Sequence, residues 1–311
     1  MADVAAVVIV LALVAVGWTV FRKSAREPFV STGLKAIDLF APIRSGTDIL
    51  IAGQPRTGMW VLTWELTYRM LRHPQFPMQV AIFIDEHRED VDSLIAEMKE
   101  TISSVSNVHV TATVTPEDLR KNCPGNDSRW MAIVLSDNDQ FIHQFREAVR
   151  AVRESAPAFR RLTSLTATFL PLRTGFDTVI VLTPVLAGEG IYPAIDVDHS
   201  ASYGLENSGV SRKHRVVSDL ARSTAAEAVV LLGHSEPGNA GSLPGTDPDR
   251  QIQAQLIRYI SQPLFVAEKY TGKQGAFLSF AETTTAFDRI LQGKVAHLSP
   301  QAMMYLNVLP R

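Results

Sequence analysis

The sequence predicts an α/β protein with a parallel sheet, followed by an all-α region and preceded by one transmembrane helix. Apolar, strand-like runs alternate with segments of helical spacing between residues 48 and 184, which is typical of a parallel sheet with helices on both faces. Beyond about residue 207 only helical patterns follow. At the amino terminus, residues 4–21 form an uninterrupted apolar run.

The amino-terminal run, VAAVVIVLALVAVGWTVF (4–21), carries no charged side chain, and Arg22, Lys23 and Arg26 follow it at once. Its length is near the lower limit of the roughly 17–25 residues that a membrane-spanning helix needs. A cleaved signal peptide would carry basic residues before the apolar core, but the only early charge is Asp3. We therefore expect an uncleaved single-pass anchor, with the rest of the chain on the cytoplasmic or mitochondrial matrix side.

Strand and helix patterns then follow one another in order. The predicted strands are DILIAG (48–53), MQVAIFID (78–85), NVHVTATV (107–114), MAIVLSD (131–137), LTSLTATFLPL (162–172) and DTVIVLTP (177–184). The helices predicted between them cover about 59–71, 90–100, 116–121 and 138–154. Ligands of parallel sheets bind beyond the carboxyl ends of the strands, so the loops after these runs are the expected site.

The sequence of the carboxyl-terminal third predicts three helices, over about 213–233, 248–270 and 283–293. The first two are separated by HSEPGNAGSLPGTD (234–247), whose glycine, proline and serine content is typical of a loop. We predict an anchor over residues 1–26, an α/β domain over 27–206 and a helical domain over 207–311.

The composition gives no support for three classes of function: nucleic-acid binding, thiol chemistry and metal binding. The chain has 311 residues and a formal net charge of -2, which gives no electrostatic case for binding nucleic acid. The single Cys123 lacks a Cys-His signature around it, and the scattered histidines form no metal-ligand spacing. We therefore predict an idle thiol and no metal cage.

One short stretch has the spacing of a phosphate-binding loop. In IAGQPRTGMW (51–60), Gly53 and Gly58 fit the pattern G-x-x-x-x-G-K-[ST] between a strand and a helix. Met59 stands where the pattern has lysine, and Trp60 where it has serine or threonine. Spacing alone leaves open whether this is a degenerate nucleotide site or a chance arrangement of two glycines.

Three long blocks decide between these interpretations. They are STGLKAIDLFAPIRSGTDILIAG (31–53), GIYPAIDVDHSAS (190–202) and the helical stretch 252–305, which includes ISQPLFVAEKYTG. In this order they resemble the nucleotide-domain entry, the adenine-side loop and the carboxyl-terminal domain of the rotary F-type ATP synthase beta subunit. The resemblance implies a RecA-like P-loop NTPase core in a divergent, truncated, membrane-anchored homologue with a degenerate P-loop.

The resemblance also assigns the phosphate end of an ancestral site. Gly53, Gly58, Met59 and Trp60 match the family's phosphate loop, without the lysine that meets the phosphates or the hydroxyl that binds Mg²⁺. Arg56, within the loop, is a conceivable replacement charge. We otherwise expect the loop to persist as a strand-to-helix turn, with Trp60 packed into the phosphate space.

The same resemblance assigns two carboxylates and two rings. Asp137 matches the aspartate that organises magnesium, and Glu86 matches the glutamate that orients the attacking water. Tyr192 matches the ring-stacking tyrosine, and Tyr270 replaces a family phenylalanine, while Leu264 replaces another aromatic residue. The two rings fit a loose purine slot or an ordinary core between domains, and the sequence leaves both open.

Because the phosphate loop lacks its lysine and its hydroxyl, the resemblance implies a pseudo-ATPase that requires no cofactor, although ATP or ADP could still bind weakly. We expect an accessory or scaffold component of a bioenergetic membrane complex, with the ATP synthase itself as the natural partner. The alternatives are an adenine-nucleotide sensor, or a residual ATPase or proton-transporting ATP synthase subunit that uses a charge such as Arg56.

Overall fold

A computed structural model describes residues 29–73, 77–124, 129–172, 174–203, 210–233 and 247–310. The predicted anchor over 4–21 lies outside these residues. Within the described ranges no helix is both long enough and apolar enough to cross a membrane.

The predicted α/β architecture is confirmed, because most strands form one largely parallel sheet. The strands are β1 (Phe29–Val30), β2 (Ile43–Arg44), β3 (Asp48–Ala52), β4 (Met78–Asp85), β5 (Val108–Thr111), β6 (Arg129–Leu135), β7 (Thr163–Thr168), β8 (Thr178–Val181) and β9 (Ala201–Ser202). Among the described residues the main sheet has seven strands in the order β5-β4-β6-β7-β3-β8-β9, and of these only β9 runs antiparallel to its neighbour. Strands β1 and β2 form a separate antiparallel pair.

Helices cover both faces of this sheet, as the alternating pattern predicts. They are α1 (Lys35–Phe40), α2 (Met59–Leu71), α3 (Val91–Thr101), α4 (Pro116–Asn122), α5 (Asp139–Ser155), α6 (Pro184–Gly188), α7 (Arg212–Gly233), α8 (Pro248–Tyr259), α9 (Glu268–Thr271) and α10 (Phe280–Leu291). Strand β6 sends Ile133 and Leu135 into one buried cluster and Ala132 and Val134 into another on the opposite face. A strand buried on both faces reads as a continuous apolar run, which is why these segments were recognisable.

The single helix predicted over 248–270 is wrong beyond Tyr259. Helix α8 ends there, and a short 3-10 turn at Phe265–Ala267 leads into α9. Pro263 explains the break, because proline has no N–H to donate and disfavours helical geometry in the residue before it.

The later helices pack directly against the first helix of the α/β part. The Phe287 ring on α10 meets the Phe40 ring edge-on at 5.9 Å. Ser218 on α7 donates to the Leu39 carbonyl at 2.8 Å, and the Arg222 guanidinium donates to the Phe40 carbonyl at 2.7 Å. The predicted boundary at 206–207 lies outside the described residues, so a separate all-α domain stays a prediction.

Candidate functional site

Four of the predicted site residues follow four strands at one edge of the sheet. Gly53 follows β3, Glu86 follows β4, Asp137 comes two residues after β6, and Tyr192 lies beyond α6, the short helix that follows β8. Since these strands are parallel, their carboxyl ends meet at the same edge, where ligands of such sheets bind.

The loop between Gly53 and Gly58 is closed by internal hydrogen bonds. Thr57 is buried, and both its N–H and its hydroxyl donate to the Gln54 carbonyl, at 3.3 and 2.7 Å. Pro55 has no N–H. A phosphate-binding loop holds its ligand with backbone N–H groups, so these two positions supply no free backbone donor.

Helix α2 begins immediately after this loop, and its first two side chains pack against the protein. Gly58 is the residue before the helix, with φ +84°, a conformation that favours glycine. Met59 is 2% exposed and belongs to the main core. The half-buried Trp60 ring meets the Phe169 ring edge-on at 5.4 Å, and the Arg88 guanidinium lies 4.9 Å from the Trp60 ring centroid.

Asp137 is held on both carboxylate oxygens. Its Oδ1 accepts from the Phe169 N–H at 2.6 Å and the Thr168 hydroxyl at 3.1 Å. Its Oδ2 accepts from Arg88 Nη1 at 2.5 Å. Arg88 also makes a two-pronged pair with Asp90, at 2.8 and 2.9 Å. The structure therefore joins Trp60, Phe169, Arg88 and Asp137 into one contact group, which we call the edge cluster.

Glu86 does not take part in the edge cluster. Its side chain is exposed, and its backbone N–H donates to the Thr111 carbonyl on the far side of β4, at 3.1 Å. The adjacent Asp85 is the buried carboxylate, and it accepts from the Ser136 hydroxyl at 2.8 Å and the His87 N–H at 3.0 Å. Burial opposes ionisation of Asp85, but these hydrogen bonds outweigh it and lower the pKa of that carboxyl.

The two predicted rings lie in different environments. A Cβ placed on Gly58 would lie 3.4 Å from the Tyr192 ring, so that ring lies against the loop. Tyr270 is 69% exposed, with the Lys269 ammonium 4.7 Å from its ring centroid. Leu264 is buried. A further phenol lies beside the segment 190–202, because the Tyr305 hydroxyl donates to the Gly190 carbonyl at 2.6 Å.

Sequence reasoning missed Arg88, Asp85 and Tyr305. Arg88 lies in a run of charged residues, HRED (87–90), whose local pattern resembles a solvated turn. Nothing in the sequence around Tyr305 pointed to the Gly190 carbonyl.

Among the described residues no group of three or more histidine, cysteine, aspartate or glutamate side chains is arranged to hold a metal ion. Cys123 is buried, and burial raises the pKa of its thiol to about 12. A thiol with that pKa stays protonated at neutral pH, so it is a poor nucleophile.

No protein-family model matches this chain.

The packing around Gly53 yields a stability prediction. A Cβ on Gly53 would lie 2.8 Å from Thr57 Oγ1 and 3.0 Å from Leu182 Cβ. We expect Gly53→Ala to lower the free energy of unfolding by about 1–3 kcal/mol, the usual cost of overpacking. Gly188→Ala is the matched control, because nothing lies within 4 Å of its Cβ position. Equal unfolding midpoints in urea for both variants would contradict the close contact at Gly53.

Proposed function

We propose that this chain is a non-catalytic, membrane-anchored relative of the F-type ATP synthase beta subunits. In this role it is an accessory or scaffold component of a bioenergetic membrane complex, with the ATP synthase itself as the natural partner by ancestry. One observation carries the non-catalytic part of this proposal. Asp137 and Trp60 already contact protein groups, Arg88 and Phe169, and Thr57 in the Gly53–Gly58 loop donates to the Gln54 carbonyl of the same loop.

The chemistry of the loop supports the non-catalytic part of the proposal. Phosphoryl transfer depends on fixed positive charge and a bound magnesium ion to stabilise the transition state. Met59 is buried and carries no charge, and Trp60 offers no oxygen to a metal. Asp137 already balances a guanidinium. On these grounds the chain needs no cofactor.

The proposal predicts no magnesium-dependent ATP turnover by the full-length protein purified in mild detergent. The control is Glu86→Gln, which removes the carboxylate that the family resemblance assigns to the attacking water. Both preparations should hydrolyse ATP at the same background rate. Turnover by the native chain clearly above that of Glu86→Gln would overturn the non-catalytic assignment.

The scaffold part is tested separately, by cross-linking in native membranes before detergent extraction. We expect the chain to co-purify with subunits of one bioenergetic complex at a fixed ratio, and the cross-links to fall on the soluble region. Recovery of the chain alone, or with unrelated proteins in varying ratios, would contradict this role.

An adenine-nucleotide sensor is the second candidate, and one contact favours it. The Tyr192 ring lies against Gly58, so a purine stacked on that ring would lie next to the loop and the start of α2. Titration calorimetry with ADP and ATP distinguishes the two functions, with Tyr192→Ala as the control. Heat that Tyr192→Ala abolishes supports the sensor, whereas no heat at millimolar nucleotide removes it.

A further inference from the structure

The two ends of the parallel strands carry opposite charge. At the carboxyl ends, where the candidate site lies, Arg56 is an exposed cation among several exposed carboxylates. These are Glu86, Glu89, Asp92 and Asp139. The amino ends are instead rich in arginine, because Arg44 ends β2, Arg129 begins β6, and Arg160 and Arg161 precede β7. Arg160 and Arg161 are both exposed.

These arginines lie around the turn between β2 and β3. A Cβ placed on Gly46, in that turn, would lie 2.6 Å from the Arg160 carbonyl and 3.5 Å from the Arg161 Cα. Arg44 is two residues before Gly46. Arg129 and Arg161 each stand two residues ahead of the first register pair of the neighbouring strands β6 and β7. We call Arg44, Arg129, Arg160 and Arg161 the basic edge.

Neighbouring carboxylates leave this edge positive. Asp48 at the start of β3 pairs with Arg153 at 2.7 Å. Asp177, which accepts from the Asp48 N–H at 2.8 Å, and Glu154 in the last turn of α5 also lie here, but the basic edge outnumbers them. Basic residues in the last turn of a helix complement the helix dipole, whereas the four arginines of the basic edge lie outside the α-helices. Their guanidinium charge is permanent.

The chain also enters the described part of the fold at the basic edge. Phe29, the first described residue, pairs with Arg44 between β1 and β2, and the Arg44 guanidinium lies 5.0 Å from the Phe29 ring centroid. The predicted anchor ends at residue 21. Even a fully extended chain from there to Phe29 spans at most about 29 Å. An anchor over 4–21 therefore keeps the basic edge close to the bilayer.

We propose that the basic edge is a membrane-contact surface that binds the headgroups of anionic lipids. Each basic residue near an anionic bilayer favours the contact about fivefold, so four arginines on a short tether are enough to orient the domain. The contact turns the acidic carboxyl ends of the strands, with the candidate site, away from the bilayer. Because the tether is the anchor, this contact depends on the membrane-anchored part of the proposed function.

Helix α5 offers two labelling positions for the test, one at each edge. Ala158 is exposed and stands two residues before Arg160, whereas Gln140 is exposed in the first turn of α5. The 17 residues of α5 span about 25 Å. Ala158→Cys and Gln140→Cys can each be labelled with a fluorophore, because Cys123 is buried and its thiol stays protonated.

The measurement is fluorescence quenching of the labelled full-length chain in nanodiscs that contain headgroup-spin-labelled lipid. With phosphatidylglycerol present, the label at position 158 should be quenched and the label at position 140 should not. With phosphatidylcholine alone, both should stay bright. Adding Arg160→Gln and Arg161→Gln to Ala158→Cys should lower the ratio of docked to undocked chains on the order of tenfold, and high salt should act in the same direction.

The matched control is Arg56→Gln, which removes an exposed arginine at the opposite edge and should leave the quenching at position 158 unchanged. If the double variant does not fold, Arg160→Glu replaces it, because the Arg160 side chain is exposed. That single variant should also reduce quenching in phosphatidylglycerol discs. Undiminished quenching in the folded variant would overturn the role of these arginines.

Extraction of vesicles with alkaline carbonate separates this inference from the proposed function. Release of the chain would overturn the anchor, and with it the tether. If the chain is retained, equal quenching at positions 158 and 140, or equal quenching with and without phosphatidylglycerol, would overturn the lipid contact alone. Cross-linking from position 158 to a protein subunit and not to lipid would make the edge a subunit contact. Duplex DNA binding that the double variant loses would make it a nucleic-acid surface.

Discussion

Arg69→Met should lower the free energy of unfolding by about 3–5 kcal/mol, because it leaves a buried carboxylate without its partner. Arg69 Nε lies 2.6 Å from Glu65 Oε1 on α2, and neither side chain is more than 1% exposed. The guanidinium also donates to the carbonyls of Thr32 at 3.1 Å and Ala276 at 2.8 Å. The variant therefore removes one ion pair and two further hydrogen bonds at once.

The measurement is urea unfolding of the full-length protein followed by tryptophan fluorescence. Arg150→Met is the matched control, because its pair with Glu147 is exposed and should contribute no more than about 1 kcal/mol. The double variant Glu65→Met with Arg69→Met should recover part of the loss, since replacing both buried charges removes the unpaired one. Full recovery is not expected, because Glu65 Oε2 also accepts from the Val266 N–H at 3.0 Å. A loss for Arg69→Met no larger than that of the control would contradict the buried pair.

The pair has a consequence beyond stability. Helix α2 begins at the Gly58 loop. Near its other end, Glu65 accepts from the Val266 N–H in the 3-10 turn, and Arg69 donates to the Ala276 carbonyl before α10. The Tyr68 ring is stacked on the Phe265 ring at 5.4 Å. The loop region and this carboxyl-terminal segment are thus connected by one helix. In an adenine-nucleotide sensor, α2 would therefore carry the signal from the loop region to this carboxyl-terminal segment.

The parts of the fold that the sequence predicted are those whose signal is local. Helix α2 begins and ends at the predicted Met59 and Leu71, because an apolar strand, two glycines and a helical pattern follow one another without interruption. Strand β6 is buried on both faces, so its apolar run stands out. Pro263 is also a local signal, but the apolar spacing continues across it and so predicts a longer helix than the structure has.

The edge cluster could not be predicted because it depends on the order of strands in the sheet. Arg88 and Asp137 are 49 positions apart, and they meet only because β4 and β6 are neighbours. Phe169 reaches Trp60 because β7 lies between β6 and β3. The run HRED (87–90) beside Glu86 contains one arginine and two acidic residues, and nothing in its sequence shows which carboxylates the arginine meets. In the structure Arg88 turns inward and pairs with both Asp90 and Asp137, so the positive charge of this run lies against two carboxylates and is not free for an anionic ligand.

The loop itself gives the second large prediction, made by restoring the residues that the phosphate-loop pattern requires. The variant Met59→Lys with Trp60→Thr should lower the free energy of unfolding by about 3–5 kcal/mol. Met59 is 2% exposed, and moving an ammonium into such a position costs several kcal/mol. Replacing Trp60 also removes the ring that contacts Phe169 and Arg88. Val230→Lys on the exposed face of α7 is the control, and it should change stability by no more than about 0.5 kcal/mol.

The same double variant should not acquire ATP turnover or micromolar ATP binding, measured by phosphate release and by calorimetry. A lysine and a hydroxyl would be back, but Thr57 would still donate to Gln54, and Pro55 would still lack an N–H. Asp137 would still balance Arg88. If the restored residues did bring back tight ATP binding with little loss of stability, the loop would be a competent nucleotide frame that lacks only two side chains. Met59 and Trp60 alone would then prevent ATP binding by the native chain, and not the contacts that the surrounding loop and the edge cluster make.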